Sequence, residues 1–283
     1  MDAHHPVSAR PPRRQVSLAG GKLAPRDVDL MIYFLEANDA LETLSIVANG
    51  LDATAARQFV DLITQRAAAQ YADASVLPPA VRETARRSAD TRAASMPPPP
   101  GAKTPPPPLG RLDISWNLIR KQGALVLANV VALVRTLSLA GCGVGPEGCA
   151  HLADALAKPT DVSGFPVRLR ELDLSFNDIG VHGAEALAES LGVNTSLTAL
   201  NLRSNGVGPT GGAALARGVV RNAGRLRSLN LTDNHVGDDI ATAISASLGN
   251  TPARLSAFSH KALRGPITIN IAYKFPGMED NFR

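Results

Sequence analysis

Hydrophobic residues return along this chain on a fixed plan. Three segments of its second half, "LRELDLSFNDI" (169–179), "LTALNLRSNGV" (197–207) and "LRSLNLTDNHV" (226–236), share one template. It reads LxxLxLxxNxL, with Ile or Val in the last place, and the starts are 28 and 29 residues apart. The template extends backwards. "LGRLDISWNLI" (109–119) matches fully, "VRTLSLAGCGV" (134–144) puts Cys142 in the Asn column, and "LETLSIVANGL" (41–51) fits throughout. "RRQVSLAGGKL" (13–23) keeps Val16, Leu18 and Leu23 but has Arg13 and Gly21 where Leu and Asn belong. Its start falls 28 residues before Leu41, which supports the weaker match.

The second half of each unit carries a helical signal in the same register. Eighteen residues after each start stand Met31, Phe59, Leu127, Leu152, Leu187, Leu215 and Ile244. Four residues further on stand Leu35, Ile63, Val131, Leu156, Leu191, Val219 and Leu248. A separation of four puts both columns on one helix face. Three residues before the first column the side chains are small or medium: Val28, Ala56, Ala124, Cys149, Ala184, Gly212 and Ala241. Small residues there are expected to bring each helix close to its own strand.

Seven units agreeing in both halves resemble the leucine-rich repeat in its long, helical, ribonuclease-inhibitor-like form. The resemblance implies an α/β fold, a right-handed solenoid or horseshoe. Parallel strands would line its concave face and helices its convex face. It also implies that the Asn column (Asn49, Asn117, Asn177, Asn205 and Asn234), with Cys142 as a tolerated substitute, bonds to backbone of the adjacent turn. No unit can bury its Leu columns alone, so stability comes from neighbours, at roughly 1.5–3 kcal/mol per fully buried Leu.

The spacing predicts one interrupted solenoid. Residues 1–12 read as a tail, 13–68 as two repeats, 69–108 as an insertion, 109–254 as five repeats, and 255–283 as a C-terminal cap and tail. "ITINIAYKF" (267–275) alternates and is the candidate cap strand. A second, shorter insertion lies near "KPTDVSGFPVR" (158–168). Both extra stretches fall between a helix end and the next strand. Within the first, "PAVRETARRSADTRAAS" has a weak apolar face, and "MPPPPGAKTPPPPLG" favours polyproline II, as a spacer or as a ligand for an aromatic groove.

Composition narrows the function. The net charge is only +4, and basic residues neither cluster nor alternate with the scarce aromatics (4%), so nucleic-acid binding is not expected. No apolar run reaches membrane-spanning length, and no secretory leader core stands at the start. Two cysteines make no disulfide framework, so a reducing, cytoplasmic setting is expected. Cys142 and Cys149 fall on packed columns of the repeat and read as buried structural thiols, with His151 beside them carrying no metal site. "GVGPEG" and "GVGPTG" lack the Lys-Ser/Thr of a nucleotide loop and recur with the repeat, so turn geometry explains them. His182 and His235 are expected on turns after strands.

The informative positions are those beside the Leu columns, third, fifth and seventh in the template, expected on the concave surface. They give Arg111, Asp113 and Ser115; Thr136, Ser138 and Ala140; Glu171, Asp173 and Ser175; Ala199, Asn201 and Arg203; Ser228, Asn230 and Thr232. The eighth position holds Trp116 and Phe176, with Gly141 between them. Ringed by Asp113, Glu171, Asp173 and Arg203, these aromatics resemble the centre of a protein-binding surface, unless both rings turn inward. The expectation is a non-catalytic scaffold without cofactor, metal or small-molecule substrate. It would bind a protein partner through Arg111, Asp113, Trp116, Glu171, Asp173, Phe176, Asn201 and Arg203. By analogy with similar repeat proteins, a cytoskeletal, ciliary or flagellar assembly is a plausible setting. Likeness to the repeats of Ran GTPase-activating protein supplies the alternative, GTPase activation through Arg120 or Asn117.

Overall fold

The computed structural model describes residues 14–36, 38, 41–70, 109–158, 169–222, 225–237, 240 and 268–270. Strands and helices alternate along it: β1 (Gln15–Ala19), α1 (Pro25–Glu36), β2 (Thr43–Val47), α2 (Ala53–Gln70), β3 (Arg111–Asp113) and α3 (Arg120–Leu127). A short 3-10 turn, Ala128–Val130, follows α3. The series continues through β4 (Thr136–Ser138), α4 (Gly145–Ala157), β5 (Glu171–Asp173), α5 (Gly180–Val193), β6 (Ala199–Asn201), α6 (Gly208–Arg221), β7 (Ser228–Asn230) and β8 (Thr268–Asn270).

All eight strands form one parallel sheet whose spatial order is the chain order. Each pairing joins equal template positions: Val16 with Leu44, Leu44 with Leu112, Leu112 with Leu137, and so on to Leu229 with Ile269. The weak first unit therefore takes its predicted register, and β2 pairs directly with β3 across the 71–108 interval. Helix α2 runs to Gln70, two residues past the expected boundary at 68.

One core runs through every described unit. The Leu columns of β2 to β7 and the helix columns from Phe59 to Leu215 and from Leu35 to Val219 are buried. Met31 is the exception: it is half-buried, and its neighbour Ile32 takes the core position. In the outermost strand, Val16 is half-buried and Leu18 is 39% exposed. The small column meets the next helix. A Cβ built on Gly148 would lie 3.1 Å from that of Ala124, on Gly183 3.2 Å from Cys149, and on Gly211 3.0 Å from Ala184. Small side chains thus set the spacing between successive helices.

Backbone polar groups are satisfied at both corners of the repeat. At the strand-to-helix corner, α4 and α6 start on Gly145 and Gly208, whose φ of +66° and +64° suits a residue without Cβ. Pro146 and Pro209 follow in the first turn, where a missing N–H costs nothing. The "GVGP" segments are helix starts. At the helix-to-strand corner two buried asparagines act, which the template does not contain. Asn194 donates to Leu156 O and accepts from Ser196 and Leu197 N–H. Asn222 donates to Leu191 O and Asn194 O and accepts from Leu226 N–H. Arg66, also buried, holds α2 to the carbonyls of Asn38 and Leu41.

Ala241, Ile244 and Leu248, the Ala/Arg- and Pro-rich segments, the shorter insertion, and most of the C-terminal cap and tail lie outside the described residues. Of the cap candidate, residues 268–270 extend the sheet as β8. Among the described residues, no helix is long and apolar enough to cross a membrane.

Candidate functional site

The turn that ends each strand is built on the Asn column. Asn177 Oδ1 accepts the N–H of Cys142 and Val144 in the preceding unit, while its Nδ2 donates to Leu139, Leu174 and Ser175 carbonyls. Asn117 does the same for Asn49 and Leu51, Asn205 for Asn177 and Ile179, and Asn234 for Asn205 and Val207. Asn49 closes the series on Gly21. Cys142 keeps one part of this pattern, with Sγ donating to Ile114 O at 3.2 Å. A thiol has no carbonyl-like oxygen, so the turn around Asn117 loses that acceptor.

The residue just before each ladder position adopts a left-handed backbone. Ala48, Trp116, Gly141, Phe176, Ser204 and Asp233 all have φ between +53° and +62°. Backbone bonds fix that conformation: Trp116 N–H to Ala140 O at 2.7 Å, Gly141 to Ser175 at 2.8 Å, and Phe176 to Arg203 at 2.9 Å. For L-residues this region costs roughly 1–2 kcal/mol. Here it turns two aromatic rings out to the rim, Trp116 54% and Phe176 42% exposed. The question of inward or outward rings is thereby decided.

The two rings meet over the glycine. Their centroids are 5.5 Å apart with the planes tilted by 38°. Gly141 lies directly under the indole: a Cβ there would stand 2.3 Å from Trp116 Cε3. On the far side, the Arg203 guanidinium sits 5.5 Å from the Phe176 centroid and its Nε donates to Asp233 Oδ2 at 2.9 Å. Ser204 Oγ reaches the same carboxylate oxygen at 3.3 Å. Indole, phenyl and guanidinium therefore form one continuous shelf along the rim.

Beside the shelf, a depression of about 290 Å³ opens on the strands, lined by Arg111, Glu171, Asp173, Asn201 and smaller neighbours. The fifth column has a second duty. Asp113 Oδ1 accepts Ser115 N–H and Oγ–H, Asp173 Oδ1 accepts Ser175 N–H and Oγ–H, and Asn201 Oδ1 accepts Arg203 N–H. These bonds end each strand. They also pull Ser115 and Ser175 inward, and these two, together with Ala140, are buried and leave the expected concave surface. Arg111 lies 3.8 Å from Asp113, and Arg203 is held by Asp233. Among the described residues, Glu171 and Asp173 form no ion pair.

Other sequence candidates resolve simply. Asn117 is buried with its amide fully used, so it cannot reach a partner's nucleotide; Arg120 is exposed. Both thiols are buried, and burial pushes each up to about 12. His182 lies in the first turn of α5, not on a turn, and faces Glu185 at 3.5 Å; His235 is exposed. Among the described residues, no three His, Cys, Asp or Glu gather as a metal site would require.

Sheet order, the asparagine series and helix packing define a leucine-rich-repeat solenoid of ribonuclease-inhibitor-like type, an α/β protein-interaction fold. The Leucine Rich repeat family profile matches residues 133–153, 169–188, 193–216 and 226–245. Ribonuclease inhibitor from Sus scrofa is 32% identical over 145 residues, 50% of this chain and 30% of that protein. NACHT, LRR and PYD domains-containing protein 13 from Homo sapiens is 28% identical over 151 residues, 52% of this chain and 14% of that protein. Among solved structures, Leiomodin-1 Actin-Binding Site 2 covers 55% of this chain and 79% of its own, at 20% identity and a TM-score of 0.41. The chain spans less than a third of the length of these two curated relatives.

Proposed function

We propose that this chain is a non-catalytic protein-binding module whose contact surface is the rim shelf of Trp116 and Phe176 with the adjoining strand face. The observation that carries this reading is the placement of two large aromatics, outward, at positions whose left-handed backbone disfavours them. The left-handed turn recurs in every unit, but only here does it carry large apolar rings, and an exposed apolar patch of this kind marks a contact surface. Exposed aromatics beside arginine are also the commonest anchors of protein interfaces. Arg111, Asp113, Glu171, Asp173, Asn201 and Arg203 supply the polar surround. Two buried, unpaired thiols support a reducing cytoplasmic setting. By analogy with other proteins of this repeat type, we extend the reading to a subunit of a cytoskeletal or ciliary assembly.

The test compares capture of native-cell proteins by wild type and by the double variant Trp116→Ala and Phe176→Ala, with circular dichroism confirming that both are folded. A set of proteins held by wild type and lost by the variant is expected. Equal capture by both would remove this surface from the function.

A further inference from the structure

The first strand of the sheet, β1, pairs on one side only, with β2. Arg14 O accepts from Glu42 and Thr43 N–H, Leu18 O accepts from Asn49 Nδ2, and Gly20 N–H donates to Val47 O. The even positions therefore face β2, and the N–H and C=O of Gln15, Ser17 and Ala19 point to the open side. Among the described residues, no strand pairs with them there. Edge strands commonly block further pairing with a charge, a proline or a bulge. The strand QVSLA has no charge and no proline, and it pairs with β2 residue for residue, without a bulge. This end of the solenoid is also apolar. Leu18 is 39% exposed, whereas its β2 counterpart Ile46 is fully buried. On α1, Leu30 is 56% exposed and holds the template place of Gln58, whose side chain bonds to Asp29 on the helix before it. Leu30 thus faces the side where a preceding helix would pack.

We propose that this end binds a second copy of the chain, β1 against β1, antiparallel and centred on Ser17. The register follows from the strand itself. Antiparallel neighbours exchange bonds between residues whose polar groups face each other. Centring on Ser17 sets Ser17 opposite Ser17 and Gln15 opposite Ala19, and it uses every outward N–H and C=O of β1. A centre at Val16 or Leu18 carries one end of the strand past its counterpart. On the helix side the Ser17 centre sets Val16 opposite the second copy's Leu18, so the two incompletely buried residues of the strand cover one another. A two-fold axis normal to the sheet keeps both sets of helices on one face and brings Leu30 of each copy towards the contact. Charge does not oppose it: within each copy Arg14 lies 3.3 Å from Glu42 and Arg26 lies 3.9 Å from Asp27. Such a contact is self-complementary and consumes the edge, so assembly through it stops at two copies.

Sedimentation velocity on the full chain tests this over roughly a hundredfold range of concentration. The mass should rise to twice the 29.6 kDa of one chain. Ser17→Pro removes the N–H at the centre of the contact. That group points away from β2, so the chain's own sheet loses no bond, and a folded monomer is expected by circular dichroism and sedimentation. Single cysteines read the register. Under mild oxidation Ser17→Cys should form a disulfide-linked dimer, since residues directly opposite in such a pair stand about 5.5 Å apart. Gln15→Cys and Ala19→Cys should link only when mixed with each other. Cys142 and Cys149 are buried, so wild type serves as the unlinked control. Wild type at the mass of one chain throughout would overturn the proposal, as would a folded Ser17→Pro that still dimerises. A dimer whose Ser17→Cys form stays unlinked would put the contact elsewhere and overturn it too. Should Ser17→Pro fail to fold, the cysteine links alone decide.

Discussion

Asn117 accepts the backbone N–H of Asn49 and of Leu51 on a single oxygen, 3.0 Å from each, although 68 residues separate it from Asn49. Its Nδ2 reaches back to Ile46 O in the same earlier unit. One amide therefore joins the units on either side of the 71–108 interval, beside the strand pairing of β2 with β3.

Asn117→Ala should accordingly cost about 3 kcal/mol, since several buried groups lose partners at roughly 1–3 kcal/mol each. Urea denaturation measures the loss, and amide exchange at Asn49 and Leu51 should quicken. A change below about 1 kcal/mol would show that the amide does not join these units.

Gly141→Ala attacks the shelf from beneath. The new methyl would collide with the indole, and alanine at a φ of +62° adds a left-handed penalty of roughly 1–2 kcal/mol. The expected result is a folded, modestly destabilised protein whose Trp116 emission shifts because the ring is displaced. An unchanged emission spectrum would contradict the stacking.

Leu187 lies in α5 with no exposed surface, between units that both pack on it. Leu187→Asp places a carboxylate there, and the neighbouring units should unfold with it, since each depends on the next for burial. Calorimetry should show loss of most of the cooperative transition. A melting curve like that of wild type would mean the helix register is wrong.

The thiols make a pH prediction. Burial raises both from 9.0 to about 12, so the folded chain keeps protons that the unfolded chain releases. Their stabilisation is complete below 9 and is lost as pH rises towards 12. The Cys149→Ala variant should therefore lose less stability than wild type over that window. A stability difference that stays constant there would refute it. Near neutral pH both thiols should resist iodoacetamide until the protein is unfolded.

The parts of this structure written repeatedly in the sequence were the legible ones. Leu112, Leu137, Leu172, Leu200 and Leu229 recur at one template position, so their burial and pairing followed from the spacing. Asn194 and Asn222 went unseen because they precede their next unit's start by different offsets, three residues and four. The inward turn of Ser115 and Ser175 depends on Asp side chains folding back onto the chain two residues on, which a strand pattern does not display. The exposure of Trp116 and Phe176 stayed open for a different reason. Aromatic residues do not announce a left-handed φ as glycine or asparagine would, so only the backbone could say which way the rings point.

Sheet order equal to chain order has a practical consequence for anyone building on this scaffold. The ends of the 71–108 interval, α2 and β3, are each anchored by their own unit, and β2 pairs with β3 through the two strands' own backbone groups. A foreign domain spliced in after Gln70 would thus leave the frame on either side aligned, much as a bracket bolted between two rungs leaves a ladder climbable.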